Sequence, residues 1–391
     1  MAGCPSFTVE RVARRPARRL AAALAAVGLV AVLTAATASA QTRITLGGAG
    51  PLYLPGGIAG LPLGRLLLIG TDYGDGPPLS LLDGYNTLNR AIGENWFPRS
   101  APQVVLYPAS SGIMSGSRAA PPVNQAVAVG QESLGARIRT AATGGEPVVI
   151  AGLSQGTLVI NRVLADLAND PANAPPSDRL SFALFSGPET GLFNVYLPPK
   201  WTVPLVNYTV HTGPSDSQYD VDVVYRQYDG WADPPDRPWN LLAVANAVAG
   251  TVYFHHGAAL AHPRDAVEIN RVTGSLGGTT TTYMIPSPTL PLLLPLRELG
   301  VPSRVVDSLN AALKPVVDAG YSRLTPDAGP YFSHGRLVES SAASPAGSPP
   351  ATPAARGAPQ SVSPSPSRAT RSPIAARTPG PDRIRARIDR N

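Results

Sequence analysis

The sequence predicts an α/β domain in which a mostly parallel sheet is covered by helices on both faces. Three observations carry this. Short apolar runs of strand length recur between residues 41 and 339, two intervening segments have helical spacing, and strand-like and helix-like segments alternate. The chain has 391 residues, enough for one large domain with appendages.

Taken in order, Ile44-Thr45-Leu46 is a first buried strand, and Gly47-Gly48-Ala49-Gly50 a glycine turn behind it. Residues 65–70 (RLLLIG) and 103–107 (QVVLY) are further candidate strands. Val123, Val127, Gly130, Leu134, Ile138 and Ala141 follow helical spacing, so 123–143 is a helix with one apolar face, stopped by Gly144-Gly145. Pro147 to Ala151 is a short apolar strand. Gly156 to Ala168 is helix-like again, with Leu158, Val159, Val163, Leu164 and Leu167 on its inner side. Residues 180–185 and 222–228 add two strands, and Leu241 to Phe254 reads as a helix.

The two ends differ from this domain. Residues 1–40 carry five Arg and one Glu. Arg11, Arg14, Arg15, Arg18 and Arg19 precede an uncharged apolar run from Leu20 to Ala36, and Ala38-Ser39-Ala40 follows it. That is the pattern of an export signal or an uncleaved membrane anchor, and either puts the domain outside the cytoplasm. Residues 340–391 carry eight Arg and two Asp among Ser, Pro and Ala. They have too few large apolar residues to offset chain entropy, so a disordered basic tail is expected. The net charge of +6 therefore resides at the ends, and the domain between them is net acidic at −4. A nucleic-acid partner would require a basic face on the folded part, which is missing. The single cysteine, Cys4, precedes the apolar run, which excludes disulfides, a Cys nucleophile and Cys-ligated zinc in the domain. No histidine cluster has metal-ligand spacing, and no cofactor is implied.

The strongest chemical signal is Gly152-Leu153-Ser154-Gln155-Gly156 between an apolar strand and a helix. A serine hydroxyl is a weak nucleophile that needs exposure and a base. A tight strand-to-helix turn lifts such a serine above the sheet edge and puts the next residue's N–H at a helix N-terminus, where it can stabilise an oxyanion. This predicts an α/β-hydrolase with Ser154 as nucleophile and Gln155 as one oxyanion donor. The alternative is a serine that merely caps a crossover helix. The second donor usually comes from the loop after an early strand, and Gly48 in the glycine turn is the candidate.

In such folds the chain order is Ser, acid, His. The loop after strand 222–228 offers Asp229, Asp233 and Asp236. Asp233 is preferred, because it lies past the strand in a segment stiffened by Pro234-Pro235. His255 and His256 end the helix 241–254 and supply the base, with His255 favoured. His211 precedes the acid loop and fits the order badly; His262 and His334 are weaker alternatives.

These motifs together resemble the PE-PPE domain family of mycobacteria and related actinobacteria. The likeness runs from Ile44 to Arg323. It includes Tyr107-Pro108-Ala109-Ser110, the Ser-Gln-Gly of the elbow, Gly191-Leu192-Phe193-Asn194, the run from Gln227 to Pro234, Asn246-Ala247-Val248-Ala249-Gly250, Pro288-Thr289-Leu290-Pro291-Leu292 and Gly320-Tyr321. The resemblance implies a cutinase-like serine hydrolase with a Ser-Asp-His triad, acting on fatty-acyl carboxylic esters. It also implies a kinship with exported acyltransferases that move acyl groups between trehalose glycolipids of the cell envelope, with membrane or envelope association. The chain differs in its paired histidines and its basic tail.

The expected architecture is thus an export or anchor segment (1–40), the hydrolase domain (41–339) and a tail (340–391). The rival expectation is a non-catalytic envelope protein that keeps the same fold to bind lipid. A further expectation concerns Ile285 to Leu296, which is too proline-broken for a regular helix or central strand and reads either as an extended wall of an acyl groove or as leucines packed on the sheet edge.

Overall fold

The computed structural model describes residues 41–49, 87–115, 119–214 and 216–339. The export segment, the strand expected at 65–70 and the basic tail lie outside the described residues. Among the described residues no helix is long and apolar enough to cross a membrane.

Seven strands form the main sheet: β1 (Thr42–Leu46), β2 (Ala101–Val104), β3 (Val148–Leu153), β4 (Leu180–Phe185), β7 (Asp220–Arg226), β8 (Val267–Thr273) and β9 (Thr279–Ile285). The short strands β5 (Thr202–Val203) and β6 (Tyr208–Thr209) pair separately, as do β10 (Tyr331–Ser333) and β11 (Arg336–Val338). The order is β2-β1-β3-β4-β7-β9-β8, and every pair is parallel except the hairpin β8–β9. The helices that matter for the site are α1 (Val123–Ala142), α2 (Gln155–Asn169), α3 (Leu192–Tyr196), α4 (Leu241–Phe254), α5 (Leu294–Glu298) and α6 (Ser303–Asp318).

Side chains alternate across a strand, so a sheet buried on both faces reads as an unbroken apolar run. This is how β3 is built: all six of its residues are buried. Ile150, Phe182 and Val223 face one core with Leu134 and Ile138 of α1 and Val159 and Val163 of α2. Their chain neighbours Ala151, Ala183 and Val224 face the other, with Ile92, Phe185, Ala258, Ala259 and Ile285. A third cluster joins Ala243 of α4, Val306 and Val317 of α6, and Leu290, Leu293, Tyr228 and Tyr321.

Several expected elements shift. Strand β7 ends at Arg226, two residues before the expected end, and the segment 227–240 is irregular. The run 285–296 is no continuous wall. It closes into a 3-10 turn at Pro291–Leu293 and then α5, with a proline in the first turn of each. A proline there loses no hydrogen bond, and its fixed φ suits a helix start. Among the elements that the periodicity argument left unassigned are the hairpin β8–β9 and the helix α6. In β8 every residue is exposed, so the burial pattern that reveals a strand is absent.

Register decides what meets at the carboxyl edge of the sheet. Leu153 pairs with Phe185, and Phe185 with Val224. Ser154 and Ser186 are therefore the first residues past two neighbouring strands, a spacing of about 4.8 Å in the hydrogen-bonding direction. This carboxyl edge is where open α/β sheets present their ligands.

Candidate active site

Ser154 stands between β3 and α2 with φ 53° and ψ −116°, a conformation that a non-glycine residue adopts at a cost of ~1–3 kcal/mol. Its amide donates to the Phe185 carbonyl at 2.9 Å. Its own carbonyl accepts the Thr157 amide at 2.9 Å and the Thr157 hydroxyl at 2.6 Å. The turn is thus held through the Ser154 backbone. Its hydroxyl caps no amide of α2, so the helix-cap alternative loses its physical basis. Gly156 allows the close approach that the turn needs. A Cβ there would lie 2.4 Å from the Leu46 carbonyl oxygen.

The two expected oxyanion donors flank this serine. Gln155 opens α2, and its buried side chain donates Nε2 to the Ser110 carbonyl at 2.9 Å, tying the loop after β2 to the elbow. Gly48 follows β1, and a Cβ added to it would sit 2.9 Å from the Ser154 Cβ. That loop is braced by the Tyr107 hydroxyl, which donates to the Gly47 carbonyl at 2.6 Å.

The acid is where the expectation needs correction. Asp233, the preferred candidate, does not meet His255. Both its oxygens are taken by the Arg323 guanidinium, at 3.0 and 2.6 Å, and it also accepts the Tyr228 amide at 2.8 Å. Asp229 occupies the position instead. Its fully buried carboxylate accepts His255 Nδ1–H at 2.9 and 3.1 Å and the Trp231 amide at 3.0 Å. The physical reason is the early end of β7: the first aspartate past it lies at the sheet edge, and the second is carried away toward residue 323. Asp236 is committed elsewhere, accepting the amide and hydroxyl of Ser322. The signal that marks Asp229 in the sequence is its place as the first acidic residue of the strand-end turn, followed by glycine.

His255 caps the carboxyl end of α4 and is 6% exposed. An imidazole that donates Nδ1–H to a carboxylate keeps Nε2 as its proton acceptor. The Trp231 ring stands 6.5 Å from the imidazole, centroid to centroid. His256 is half-buried, and burial, followed by charge on His255, pushes its pKa down to about 4. It is neutral near pH 7 and poorly matched to take a proton there. His211, His262 and His334 are exposed, and His211 meets the ion pair of Arg162 and Glu189, away from Asp229.

What brings α4 to the acid turn is glycine. A Cβ on Gly250 would fall 1.9 Å from the Tyr228 carbonyl oxygen. Gly250→Ala should therefore separate helix from turn. The expected result is a loss of about 1–3 kcal/mol in unfolding free energy, with lower activity per folded molecule, read by thermal unfolding and by titration of active protein.

Among the described residues no group of three or more His, Cys, Asp or Glu side chains is arranged to hold a metal ion. The arrangement assembled at the strand ends can support nucleophilic attack by a serine hydroxyl, proton transfer through an imidazole, and stabilisation of negative charge by backbone amides.

The PE-PPE domain matches residues 98–322, which include Ser154, Asp229 and His255. The PPE family protein PPE63 of Mycobacterium tuberculosis strain H37Rv is 55% identical over 301 residues, covering 77% of this chain and 59% of that protein. From the same strain, the SL1278 acyltransferase Chp1 is 41% identical over 254 residues, 63% of this chain and 60% of that protein. The diacyltrehalose acyltransferase Chp2 is 38% identical over 259 residues, 61% of this chain and 70% of that protein. The chain thus spans about three fifths of the length of the first two of these relatives.

Proposed function

The chain belongs to the PE-PPE domain family, and from that premise we propose that it is an exported serine enzyme that cleaves or transfers fatty-acyl groups of carboxylic esters through an acyl-Ser154 intermediate. The observation that carries this reading is an elbow serine after β3, whose hydroxyl caps no amide of α2, on the same carboxyl edge of the sheet as a buried Asp229–His255 couple after β7, with β4 between the two strands. The names of Chp1 and Chp2 support acyl transfer, and that of Chp2 supports a trehalose lipid. Export rests on the charge and hydropathy pattern of residues 1–40.

In this reading Ser154 Oγ attacks the ester carbonyl carbon while its proton passes to His255 Nε2. Asp229 stabilises the imidazolium. The amides of Gln155 and Gly48 receive the charge that develops on the carbonyl oxygen. The bond to the leaving alcohol then breaks as the imidazolium returns the proton to that alcohol. Water or a sugar hydroxyl next attacks the acyl-serine, gives its proton to His255, and releases free acid or a new ester; Ser154 Oγ takes the proton back.

The decisive experiment incubates the protein with a p-nitrophenyl acyl ester, with and without trehalose, and follows protein and products by mass spectrometry. The expected result is a mass increase of one acyl group on the peptide containing Ser154, and acyl trehalose among the products when the sugar is present. An unmodified Ser154 with no product in either arm would favour a non-catalytic lipid-binding protein.

Acyl-chain preference follows from a cavity of about 240 Å³ at the carboxyl ends of β7 and β9. Phe254, Ile285, Pro286 and Leu294 supply apolar wall, with Arg226 and Arg297 also lining it. One lining residue, Phe254, immediately precedes His255 in the chain. Each buried methylene contributes about 0.8 kcal/mol, so medium and long acyl esters should exceed acetate by roughly tens- to hundreds-fold in kcat/KM. Leu294→Asp should flatten the profile, whereas Leu293→Ala, in the third core cluster, should lower stability instead. A series of p-nitrophenyl esters below their aggregation concentrations checks this, and an unaltered profile in Leu294→Asp would remove the cavity from substrate binding.

A further inference from the structure

Three neighbouring strands of the sheet each run into a non-glycine residue with positive φ: Ser154 after β3 at 53°, Ser186 after β4 at 50°, and Tyr228 beyond β7 at 68°. Strained backbone of this kind persists only where the surroundings over-determine it, and it gathers at functional sites. Ser154 is the elbow, and Tyr228 precedes Asp229. Ser186 has no role in the chemistry above. It is fully buried, so it cannot touch a substrate.

Its bonds run between the other two. Its amide donates to the Val224 carbonyl of β7 at 2.9 Å. Its hydroxyl donates to the His255 carbonyl at 2.7 Å. The residue before it, Phe185, accepts the Ser154 amide at 2.9 Å. One dipeptide at the end of β4 therefore grips the nucleophile's backbone on one side and the histidine's backbone on the other. The His255 carbonyl ends α4, where helical carbonyls lack partners within the helix. A side chain reaching from the central strand supplies that partner.

We propose that Ser186 is a positioning residue, one that fixes His255 relative to both Asp229 and Ser154 through its hydroxyl. This rests on the triad reading above. Both Ser186→Gly and Ser186→Ala remove the hydroxyl bond to the His255 carbonyl, but glycine also relieves the positive-φ strain that alanine keeps, so the two variants differ in stability while sharing the lost contact. A positioning residue loses function from either change.

The test compares Ser186→Gly and Ser186→Ala with wild type in the full chain. The readouts are kcat and KM for a p-nitrophenyl ester, Tm, and the proton spectrum of ¹⁵N-histidine-labelled protein. The Nδ1–H resonance of His255 is assigned by its disappearance in His255→Gln. Expected for Ser186→Gly is a roughly ten- to hundredfold loss of kcat, with KM little changed, Tm above that of Ser186→Ala, and the Nδ1–H resonance broadened or moved upfield. Ser186→Ala should lose the same kcat at a lower Tm, because it keeps a Cβ at positive φ. A Ser186→Gly protein with wild-type kcat and an unmoved resonance would overturn the proposal, as would losses of kcat that merely track Tm across the two variants. The resonance also separates this inference from the triad reading. If ester turnover proves independent of Ser154, the triad reading falls, and the spectrum alone still decides whether Ser186 holds His255.

Discussion

Ser154→Ala is expected to lower ester turnover by about 10⁶ while leaving the fold in place, since removing the nucleophile of a comparable triad costs that much. The fold should survive because the elbow is held by backbone groups. The amide and carbonyl of residue 154 make their bonds to Phe185 and Thr157 whatever the side chain, and the hydroxyl caps no amide of α2. Alanine at the same positive φ keeps the same Cβ, so the strain there is unchanged. The measurement is turnover of a short-chain p-nitrophenyl ester together with thermal unfolding, and a fluorophosphonate probe that should label wild type and miss the variant. More than a few per cent residual activity in a preparation free of other esterases would mean that the acyl group travels through another residue.

Asp229→Asn is the second large effect, about 10⁴ in turnover by comparison with a triad whose acid was changed to the amide. An asparagine offers no negative charge to an imidazolium, and it can hold the ring in the wrong tautomer. The informative control is Asp233→Asn, four residues along the same loop. Asp233 shares two hydrogen bonds with Arg323 and accepts the Tyr228 amide, and none of these reaches His255. Its neutralisation leaves a guanidinium without its partner and loosens the tie between the acid loop and residue 323. Losing one partner of a buried pair costs ~3–5 kcal/mol, and the partial exposure of Arg323 reduces that figure. The expected contrast is therefore a stable, inactive Asp229→Asn and a less stable Asp233→Asn that keeps most of its activity when assayed well below its Tm. The reverse pattern would return the role of acid to Asp233.

The contrast between these two aspartates also marks the limit of local reading. What the sequence by itself determined are the features written within a few residues. The all-apolar run of β3, the glycines around Ser154 and the amphipathic spacing of α1 and α2 predict a strand, a tight turn and helices. Each depends on contacts one turn or one pleat away. Ser154, Gln155 and Gly48 follow as candidates from that pattern together with the usual architecture of such turns, as does the choice of the His255–His256 pair over the other histidines.

What only the tertiary structure decided depends on residues far apart in the chain. Asp229 and Asp233 have the same side chain and lie four positions apart, and their local signals point opposite ways: Asp229 comes first after the strand and precedes a glycine, Asp233 sits in the stiffer proline segment. Arg323, 90 residues beyond Asp233, captures one and leaves the other to His255. Ser186 is an unremarked serine after a strand until the register of β3, β4 and β7 sets it between Ser154 and the end of α4. Gly250 has no role within its own helix that the sequence reveals, and the reason for glycine is the Tyr228 carbonyl oxygen, which lies where a side chain would be. Charge pairing, strand register and close backbone approach are interactions between segments brought together by folding. A residue's role in them is a property of its partner, and the partner is chosen in three dimensions.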